Sequence, residues 1–356
     1  MKRKNLIAIK KVKKKKILIK NSKIKKNYTE FRKIIFKNIK SKSFALGVSG
    51  GADSLCLSYF SKIYATEFKN KVHVLIVDHK LRKDSYKEAF KVKKILIKRD
   101  IQSKILRWKG KIPLKNIQSN ARDIRYSLIS EYCQNKNIKY LITAHHLDDQ
   151  IENFFIRLFR GSGLSGLSSM PETFNHSSKL KIVRPFLELK KNELQFVTLK
   201  YFKKYIKDPS NKDEKYLRVR IRKYRKDMEK EGLDSSKIIK TVHNLLSANK
   251  ALSFYKNKAL YKYVSFLSKN KCLINTKIFS EEAGEIIFKS FADILSLISG
   301  TYYPPRSKKI VSLINRIKKN AFGKYTLGGC VLEKKESYIL VSKEIRHKKV
   351  SYQLHK

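Results

Sequence analysis

The chain has 356 residues, 42% of them hydrophobic, which is enough for two domains with substantial cores. Its 83 Lys and Arg against 29 Asp and Glu give a formal net charge of +54, which favours a polyanionic partner such as nucleic acid. A codon bias toward A and T would also produce a Lys-rich chain. No apolar run approaches the roughly 18 residues of a membrane-spanning helix, so we expect a soluble, cytoplasmic protein with no membrane contact of that kind.

The N-terminal segment 1–30 is dense in Lys and has no acidic residue before Glu30. Its two apolar patches, Leu6–Ile9 and Ile17–Ile19, are too short for the core of a signal peptide. This composition predicts a disordered basic arm, which either grips RNA or is only a tail.

Predicted strands and helices alternate from residue 31 to about residue 230. The strand-like runs are Phe44–Val48, Val72–Asp78, Ile101–Trp108 and Tyr140–Ala144, and the helix-like stretches between them are Leu55–Phe68, Ser85–Arg99 and Asn116–Asn135. Such alternation is typical of an α/β fold, a doubly wound and mostly parallel sheet with helices on both faces. Its ligands bind beyond the carboxyl ends of the strands.

Three polar motifs follow strands of this sheet and are expected to meet at one edge. Ser49–Ser54 follows the first strand, Asp78 and His79 follow the second, and His145–Asp149 follows the fourth. Three such motifs on one edge are unexpected by chance, so we predict a single site there.

The first motif predicts a phosphate site; its residues are Ser49, Gly50, Gly51, Ala52, Asp53 and Ser54. Adjacent glycines allow positive φ and close approach of a ligand, and the first amides of the following helix point at one anion. Asp53 adds a carboxylate able to hold Mg²⁺ against the phosphates. An ordinary Gly-rich turn is the alternative, and the strand before and helix after the motif argue against it.

Two nucleotide-binding motifs are excluded. Gly161–Gly166 fits the pattern G-x-G-x-x-G, but it follows the helix-like stretch Asp149–Arg160 where a dinucleotide site requires a strand. We expect these glycines to end that helix and form a loop. A Walker A sequence is absent.

Residues 231–356 are expected to form a smaller, mainly helical second domain. Its helix-like stretches are Ser236–Leu267 and Glu281–Ser299, and Gly328-Gly329 is a turn suited to join two strands. Tyr255, Tyr261 and Tyr263 alternate with Lys and could stack on bases, but their helical spacing favours core positions. The four cysteines are far apart and form no Cys-x-x-Cys pair, so we expect reduced thiols and no metal cluster.

Several further motifs complete a pattern that extends from residue 31 to about residue 225. They are Val77–Arg82, Ala121–Tyr126, Thr143–Glu152, Arg157–Gly163, Asp208–Asn211 and Arg218–Arg222, with weaker traces at Tyr303–Arg306 and Thr326–Gly329. Together with Ser49–Ser54, they resemble the N-type ATP pyrophosphatases of the PP-loop superfamily and, within it, the tRNA(Ile)-lysidine synthetases. The departures are Asn153 for a common Thr, Phe154-Phe155 for an aliphatic pair, the basic arm and a shorter C-terminal part.

The resemblance implies an adenine nucleotide alpha hydrolase-like fold, with a PP-loop ATP pyrophosphatase domain at 31–230 and a tRNA-binding domain at 231–356. It implies ligation of free L-lysine to the wobble cytidine of tRNA(Ile) with anticodon CAU, through an adenylated cytidine, with ATP and Mg²⁺. An oligomer is possible.

The resemblance also implies roles for single residues. Ser49–Ser54 and Asp78 would bind ATP, with Asp53 on the metal. Arg122, Arg125 and His145 would act as cations at the α-phosphate. Asp149 and Glu152, three residues apart on one helix, would face the same way, hold the ammonium of lysine and accept its proton. A solvated first helix turn is the alternative for these two acids.

Two other functions are weighed. A tRNA thiolase of the same superfamily would resemble systems with paired cysteines, which this chain lacks. A non-catalytic RNA-binding relic of the fold has no reason to keep Asp53, Asp149 and Glu152.

Overall fold

The computed structural model describes residues 19–81, 84–110, 117–168, 170–177, 179–207, 213–301, 304–319 and 323–345, with side chains of the fourth helix from residue 120. Residues 1–18 of the predicted arm and the motif Asp208–Asn211 lie outside these ranges. The chain divides into two units, 1–242 and 243–356.

The first unit is built on a six-stranded sheet. Its elements are α1 (Ser22–Asn38), β1 (Phe44–Gly47), α2 (Ala52–Phe68), β2 (Val72–Asp78), α3 (Ser85–Ile97), β3 (Ser103–Arg107), α4 (Ile117–Asn135), β4 (Tyr140–Ile142), α5 (Leu147–Leu158), α6 (Leu164–Leu167), β5 (Thr173–Ser177), β6 (Leu180–Val183), α7 (Lys191–Phe202), α8 (Leu217–Lys230) and the first part of α9 (Ser235–Tyr263). The strand order is β3-β2-β1-β4-β6-β5, parallel throughout except for β5 against β6. The predicted doubly wound, mostly parallel sheet is confirmed.

The strand order reverses beside β1. The chain moves outward from β1 through β2 to β3 and then returns to β4 on the opposite side of β1. The segments that follow β1 and β4 therefore leave the sheet in different directions and open a crevice between them, which is where ligands of such sheets bind.

Helix α2 is buried around most of its circumference, because its apolar side chains pack on several neighbouring elements. Leu55, Phe60 and Tyr64 are fully buried. Thr198 of α7 donates a 2.6 Å hydrogen bond from Oγ1 to the carbonyl of Ala52, so α7 fixes the first turn of α2.

Helix α1 corrects the predicted extent of the basic arm. Asn21 caps it by accepting a 3.1 Å hydrogen bond from the amide of Ile24. Ile24 and Tyr28 are buried, and the Tyr28 hydroxyl donates to Glu67 at 2.8 Å. Residues 22–30 are therefore helical and packed, and the predicted disorder of this part is wrong.

The boundary between the two units also differs from the prediction. It lies after residue 242, within α9, and not at 230. The reason is packing, because Ile238 and Ile239 of α9 share a cluster with Ile151 of α5 and Ile221 of α8.

The second unit combines helices with a five-stranded antiparallel sheet. After the last part of α9 come β7 (Val264–Ser268), β8 (Lys271–Asn275), α10 (Ile278–Glu281), α11 (Gly284–Ser299), α12 (Ser307–Lys318), β9 (Lys324–Leu327), β10 (Cys330–Lys334) and β11 (Tyr338–Lys343). The strand order is β7-β8-β11-β10-β9. Gly328 and Gly329, with φ of +62° and +79°, join β9 to β10 as predicted.

Some predictions for single residues of this unit are confirmed and others are wrong. Tyr263 is buried as expected, but Tyr255 and Tyr261 are 57% and 94% exposed, so their predicted core positions are wrong. Cys272 and Cys330, like Cys56 and Cys133 in the first unit, are buried free thiols. Within the described ranges, no helix has both the length and the apolar character that crossing a bilayer requires.

Candidate active site

The loop between β1 and α2 leaves the first helical amides free of side-chain caps. Val48 continues β1 by donating to the carbonyl of Leu75 at 2.8 Å. Gly51 is the N-cap of α2, and as a glycine it supplies no side-chain hydrogen bond. The N-terminal amides and the positive end of the helix dipole thus face the crevice, as an anion site requires.

Gly50 is required by conformation and by space. Its φ is +86°, and a Cβ at this position would lie 2.6 Å from Cγ2 of Val92 on α3. Its carbonyl accepts a 2.9 Å hydrogen bond from the amide of Ile206. The loop is therefore held between α3 and the segment after α7.

The two serines of the loop bond to the loop itself. Oγ of Ser54 donates to the carbonyl of Gly51 at 3.0 Å and accepts from the amide of Ser49 at 3.2 Å. The two hydroxyl oxygens are 3.3 Å apart. Ser49 and Ser54 therefore stabilise the conformation of the loop between β1 and α2, which we call the phosphate loop (Ser49–Ser54).

Asp53 lies on the first turn of α2 and has one oxygen without a partner. Its Oδ1 is buried and makes no hydrogen bond to any residue that the structure describes, whereas Oδ2 lies 3.6 Å from Nε2 of His146. A buried carboxylate oxygen of this kind suits a hard cation. In the described part of the chain, no three His, Cys, Asp or Glu side chains are arranged to hold a metal by themselves. A Mg²⁺ ion at Asp53 would therefore take its other ligands from phosphate oxygens and water, as Mg²⁺ usually does in nucleotide sites.

Asp78, at the end of β2, organises the loop that leads into α3. Its Oδ1 accepts hydrogen bonds from Oγ of Ser85 at 2.6 Å and from the amide of Lys80 at 3.1 Å. Its Oδ2 lies 3.4 Å from Nε of Arg107. Asp78 is buried, and these bonds use its carboxylate to fix the geometry of the loop, so contact of Asp78 with ATP stays a prediction.

His146 begins α5 and connects it to α2. It forms a capping box with Asp149: the amide of His146 donates to Oδ2 of Asp149 at 3.1 Å, and Nδ1 of His146 accepts from the amide of Asp149 at 3.4 Å. Nε2 of His146 is also 3.5 Å from Oδ2 of Asp149. Burial lowers the pKa of His146, but the hydrogen bond to Asp53 and the charges of Asp149, Asp53 and Asp148 outweigh it and raise this pKa.

His145 behaves in the opposite way. Its Nδ1 lies 2.9 Å from Oγ1 of Thr143. Burial lowers the pKa of His145 to about 3 against the opposing charge of Asp149. The positive charges of Arg184, Arg122 and Arg218 act in the same direction as burial. This pKa favours a neutral His145 ring at pH 7, so the role of His145 as a cation stays a prediction that its surroundings do not support.

The positive charge near His145 comes from arginines on three elements. Arg122 on α4 is exposed, and its guanidinium lies 5.3 Å from the ring centre of Tyr126. Arg125 is exposed one turn further along α4. Arg184 follows β6, is 4% exposed and donates to the carbonyl of Pro171 at 2.8 Å. Arg184 and Arg218 were missed as site residues.

The predicted pair Asp149 and Glu152 is divided between two partners. Glu152 is 2% exposed, and Arg222 of α8 donates to it twice, from Nε to Oε1 at 2.5 Å and from Nη2 to Oε2 at 3.2 Å. Asp149 bonds to His146 instead. Glu152 is therefore not available to a ligand in this arrangement, and its charge holds α8 against α5.

A second ion pair strengthens the same contact. Arg225 donates from Nη1 to Oδ1 of Asp148 at 2.7 Å, and Oδ2 of Asp148 accepts from the amide of Lys191 at 3.0 Å. Although burial raises the pKa of Asp148, these bonds lower it overall. Arg218, Arg222 and Arg225 follow helical spacing along one face of α8, so the sequence shows that they lie on one side of this helix but not which acids they meet.

The loop at Gly161–Gly166 agrees with its prediction. Gly161, with φ +63°, follows the end of α5, and its amide donates to the carbonyl of Leu158 at 2.9 Å. Residues 161–163 form the predicted loop, whereas Leu164–Gly166 lie in the short helix α6. The helix α5 precedes the segment where a dinucleotide motif requires a strand, so the structure also excludes that motif.

Comparison with known proteins agrees with this geometry. The PP-loop domain family matches residues 21–225. The chain is 34% identical over 311 residues to the tRNA(Ile)-lysidine synthase of Orientia tsutsugamushi, covering 84% of this chain and 69% of that one. It is 33% identical over 322 residues to the tRNA(Ile)-lysidine synthase of Wolbachia pipientis wMel, covering 87% and 74%.

Among solved structures, a U34-tRNA thiolase from Methanococcus maripaludis with its [4Fe-4S] cluster matches with a TM-score of 0.54. The identity is 21%, over 63% of this chain and 80% of that chain, which is a likeness of fold alone. The resemblance read from the motifs is thus confirmed: the chain belongs to the PP-loop family, which implies ATP binding, and within that family to the tRNA(Ile)-lysidine synthases.

Proposed function

We propose that this chain ligates free L-lysine to the wobble cytidine of tRNA(Ile) with anticodon CAU and converts ATP to AMP and pyrophosphate. The new substituent at carbon 2 changes the pairing edge of the base, so the tRNA reads AUA as isoleucine. Family membership supports this reaction. The observation that carries it is the position of Asp53, whose unpartnered Oδ1 lies at the start of α2 while Oδ2 lies 3.6 Å from His146 at the start of α5.

The first step is adenylation of the base. The cytosine 2-oxygen forms a bond to the α-phosphorus of ATP, and the bond to pyrophosphate breaks. The amides at the start of α2 would bind the leaving pyrophosphate. Arg122, Arg184 and Arg218 would balance the charge that develops at the α-phosphate. Mg²⁺, held by Asp53, would supply further neutralisation of the phosphates when bound.

The second step is attack of the lysine ε-amine at carbon 2, with AMP as the leaving group. An amine of pKa about 10.4 is neutral at pH 7 in only roughly one molecule in 2,500, a handicap of about 4.6 kcal/mol. We assign the binding of the ammonium and the acceptance of its proton to Asp149, since Glu152 is paired with Arg222. Glu152 then acts as a positioning residue, because Arg222 ties α5 to α8.

The remaining assignments concern RNA binding. The second unit would bind tRNA, and the basic segment before Ser22 would add phosphate contacts. If it does, deleting the segment should make the slope of log affinity against log salt concentration less steep, by about 0.7 to 0.9 for each lost phosphate contact.

The proposal is tested by incubating the protein with unmodified tRNA(Ile), ATP and isotopically labelled lysine, followed by digestion to nucleosides and mass spectrometry. We expect a cytidine that carries the label, formed only with ATP and not by the Asp53→Ala variant. ATP consumption without label in the RNA would indicate another PP-loop reaction, such as thiolation. RNA binding without ATP consumption would indicate a non-catalytic relic.

A further inference from the structure

Two aromatic rings and one cation of α3, together with a cation at the end of β3, form an exposed row of side chains. The rings of Tyr86 and Phe90 are stacked, with centres 6.4 Å apart and planes 21° from parallel. The guanidinium of Arg107 lies 5.1 Å from the ring centre of Tyr86, and Nζ of Lys94 lies 5.0 Å from the ring centre of Phe90. We call these four residues, Arg107, Tyr86, Phe90 and Lys94, the α3 ladder.

The ladder is not part of the core. Helix α3 packs on the unit through a separate stripe of buried residues, which are Ser85, Ala89, Val92 and Leu96. The side chains of the ladder lie outside this stripe, with Tyr86 47% exposed and Phe90 43% exposed. Exposed aromatic rings leave burial free energy unused, and neighbouring exposed rings mark interaction surfaces.

The ladder is joined to the edge of the sheet that carries the phosphate loop. Nε of Arg107 lies 3.4 Å from Oδ2 of Asp78, and Ser85, the first residue of α3, donates to Oδ1 of the same carboxylate. About two turns later on α3, Cγ2 of Val92 lies 2.6 Å from the position of a Cβ built on Gly50. Helix α3 thus lies beside the loop between β1 and α2. If an RNA base reacts at that loop, the nucleotides next to this base would pass close to α3.

We propose that the α3 ladder is a stacking platform for unpaired nucleotides of the RNA substrate. This inference rests on the proposed function for the identity of that RNA. The flat faces of Tyr86 and Phe90 suit bases of any sequence, and the cations at the two ends suit the phosphates on either side. A second copy of the chain is a poorer occupant, because it would bring Arg107 and Lys94 against like charges.

The test compares two RNAs and three proteins. The RNAs are a stem-loop with the anticodon loop of tRNA(Ile) and a fully paired duplex of equal length. The proteins are the wild type, the double variant Tyr86→Ala/Phe90→Ala, and Ile97→Ala as the matched control. Ile97 lies on the same helix and is 46% exposed, but it has no π face. Affinities are measured by fluorescence anisotropy at several salt concentrations.

We expect the double variant to bind the stem-loop roughly 5- to 150-fold more weakly, the range expected for the loss of one stacked base. The duplex, whose bases are already paired, should bind equally well to all three proteins. The salt slope should not change in the double variant, since no charge is removed. Lys94→Gln should instead reduce the slope by about 0.7 to 0.9.

Stem-loop affinity within twofold of the control would overturn the platform. An equal loss for stem-loop and duplex would overturn it as well, because the effect would not depend on unpaired bases. Light scattering that shows a self-associating wild type and a dissociated double variant, with unchanged RNA affinity, would make the ladder an interface between copies. Absence of labelled lysine in tRNA treated with wild type contradicts the proposed function, and selective loss of stem-loop affinity would still support stacking in that case.

Discussion

Replacing Glu152 by Gln tests whether the buried ion pair with Arg222 holds α5 and α8 together. The variant keeps the shape of the side chain but removes its charge. Arg222 would then meet one oxygen and one amide group where it now meets two oxygens, at 2.5 and 3.2 Å. One donor of Arg222 would face another donor, and its charge would lose its partner.

The magnitude follows from the burial of the two side chains. Removing one member of a buried pair costs about 3–5 kcal/mol. The side chain of Glu152 is 3% exposed but that of Arg222 is 31% exposed, so water compensates part of the lost interaction. We expect Glu152→Gln to lower the free energy of unfolding by about 2–3 kcal/mol, and Arg222→Met to cost at least as much because it leaves the buried carboxylate unpaired.

The assay is guanidinium unfolding of the wild type, both single variants and the double variant, with the m-value monitored. The double variant should cost less than the sum of the singles, since neither side chain is then left with an unmatched charge. Asp227→Asn on α8 is the matched control, because its pair with Lys230 is exposed, and it should cost less than about 0.5 kcal/mol. A loss below 0.5 kcal/mol for Glu152→Gln, or full additivity in the double variant, would refute the reasoning.

Three further predictions follow from the site. Asp53→Ala should abolish ATP-dependent release of pyrophosphate and leave tRNA affinity within about twofold, and undiminished release would remove Asp53 from the ATP site. Gly50→Ala should destabilise the protein by roughly 1–3 kcal/mol in urea unfolding because of its φ of +86° and the contact with Val92, whereas Gly51→Ala, with φ −68°, should cost much less; equal costs would contradict this. The raised pKa of His146 means that its protonated form stabilises the fold most below its unfolded pKa of about 6.5, and this contribution is lost as pH rises through the folded pKa. His146→Asn cannot titrate, so the stability advantage of wild type over this variant should decline as pH rises, and an advantage independent of pH would contradict the prediction.

The sheet was predictable because its strands are short apolar runs between helical patterns. Phe44–Gly47 and Val72–Asp78 are strands within the predicted bounds. The sequence does not show that the strand order reverses beside β1, but it does place the three polar motifs at one edge, because parallel strands end at the same edge of a sheet. The 3.6 Å approach of Asp53 to His146 brings the first and third of them together.

The errors arose where tertiary packing decides the outcome. Residues 22–30 looked like a disordered continuation of the Lys-rich arm, but Ile24 and Tyr28 face the core at helical spacing. His145 was expected to be cationic, and only the fold shows that burial and three arginines lower its pKa. Asp149 and Glu152 have the spacing of a shared face, but Arg222, 70 residues further on, pairs with only one of them. Such long-range pairing has no local signal in the sequence.

The central claim is that the wobble cytidine receives lysine, and one comparison of two RNAs tests it most directly. Wild-type protein is incubated with ATP, labelled lysine and either tRNA(Ile) with anticodon CAU or the same tRNA with uridine at the wobble position, and label in the RNA is measured. We predict ATP-dependent incorporation into the first RNA and none into the second. Equal incorporation into both RNAs, or incorporation into neither while ATP is consumed, would contradict the account.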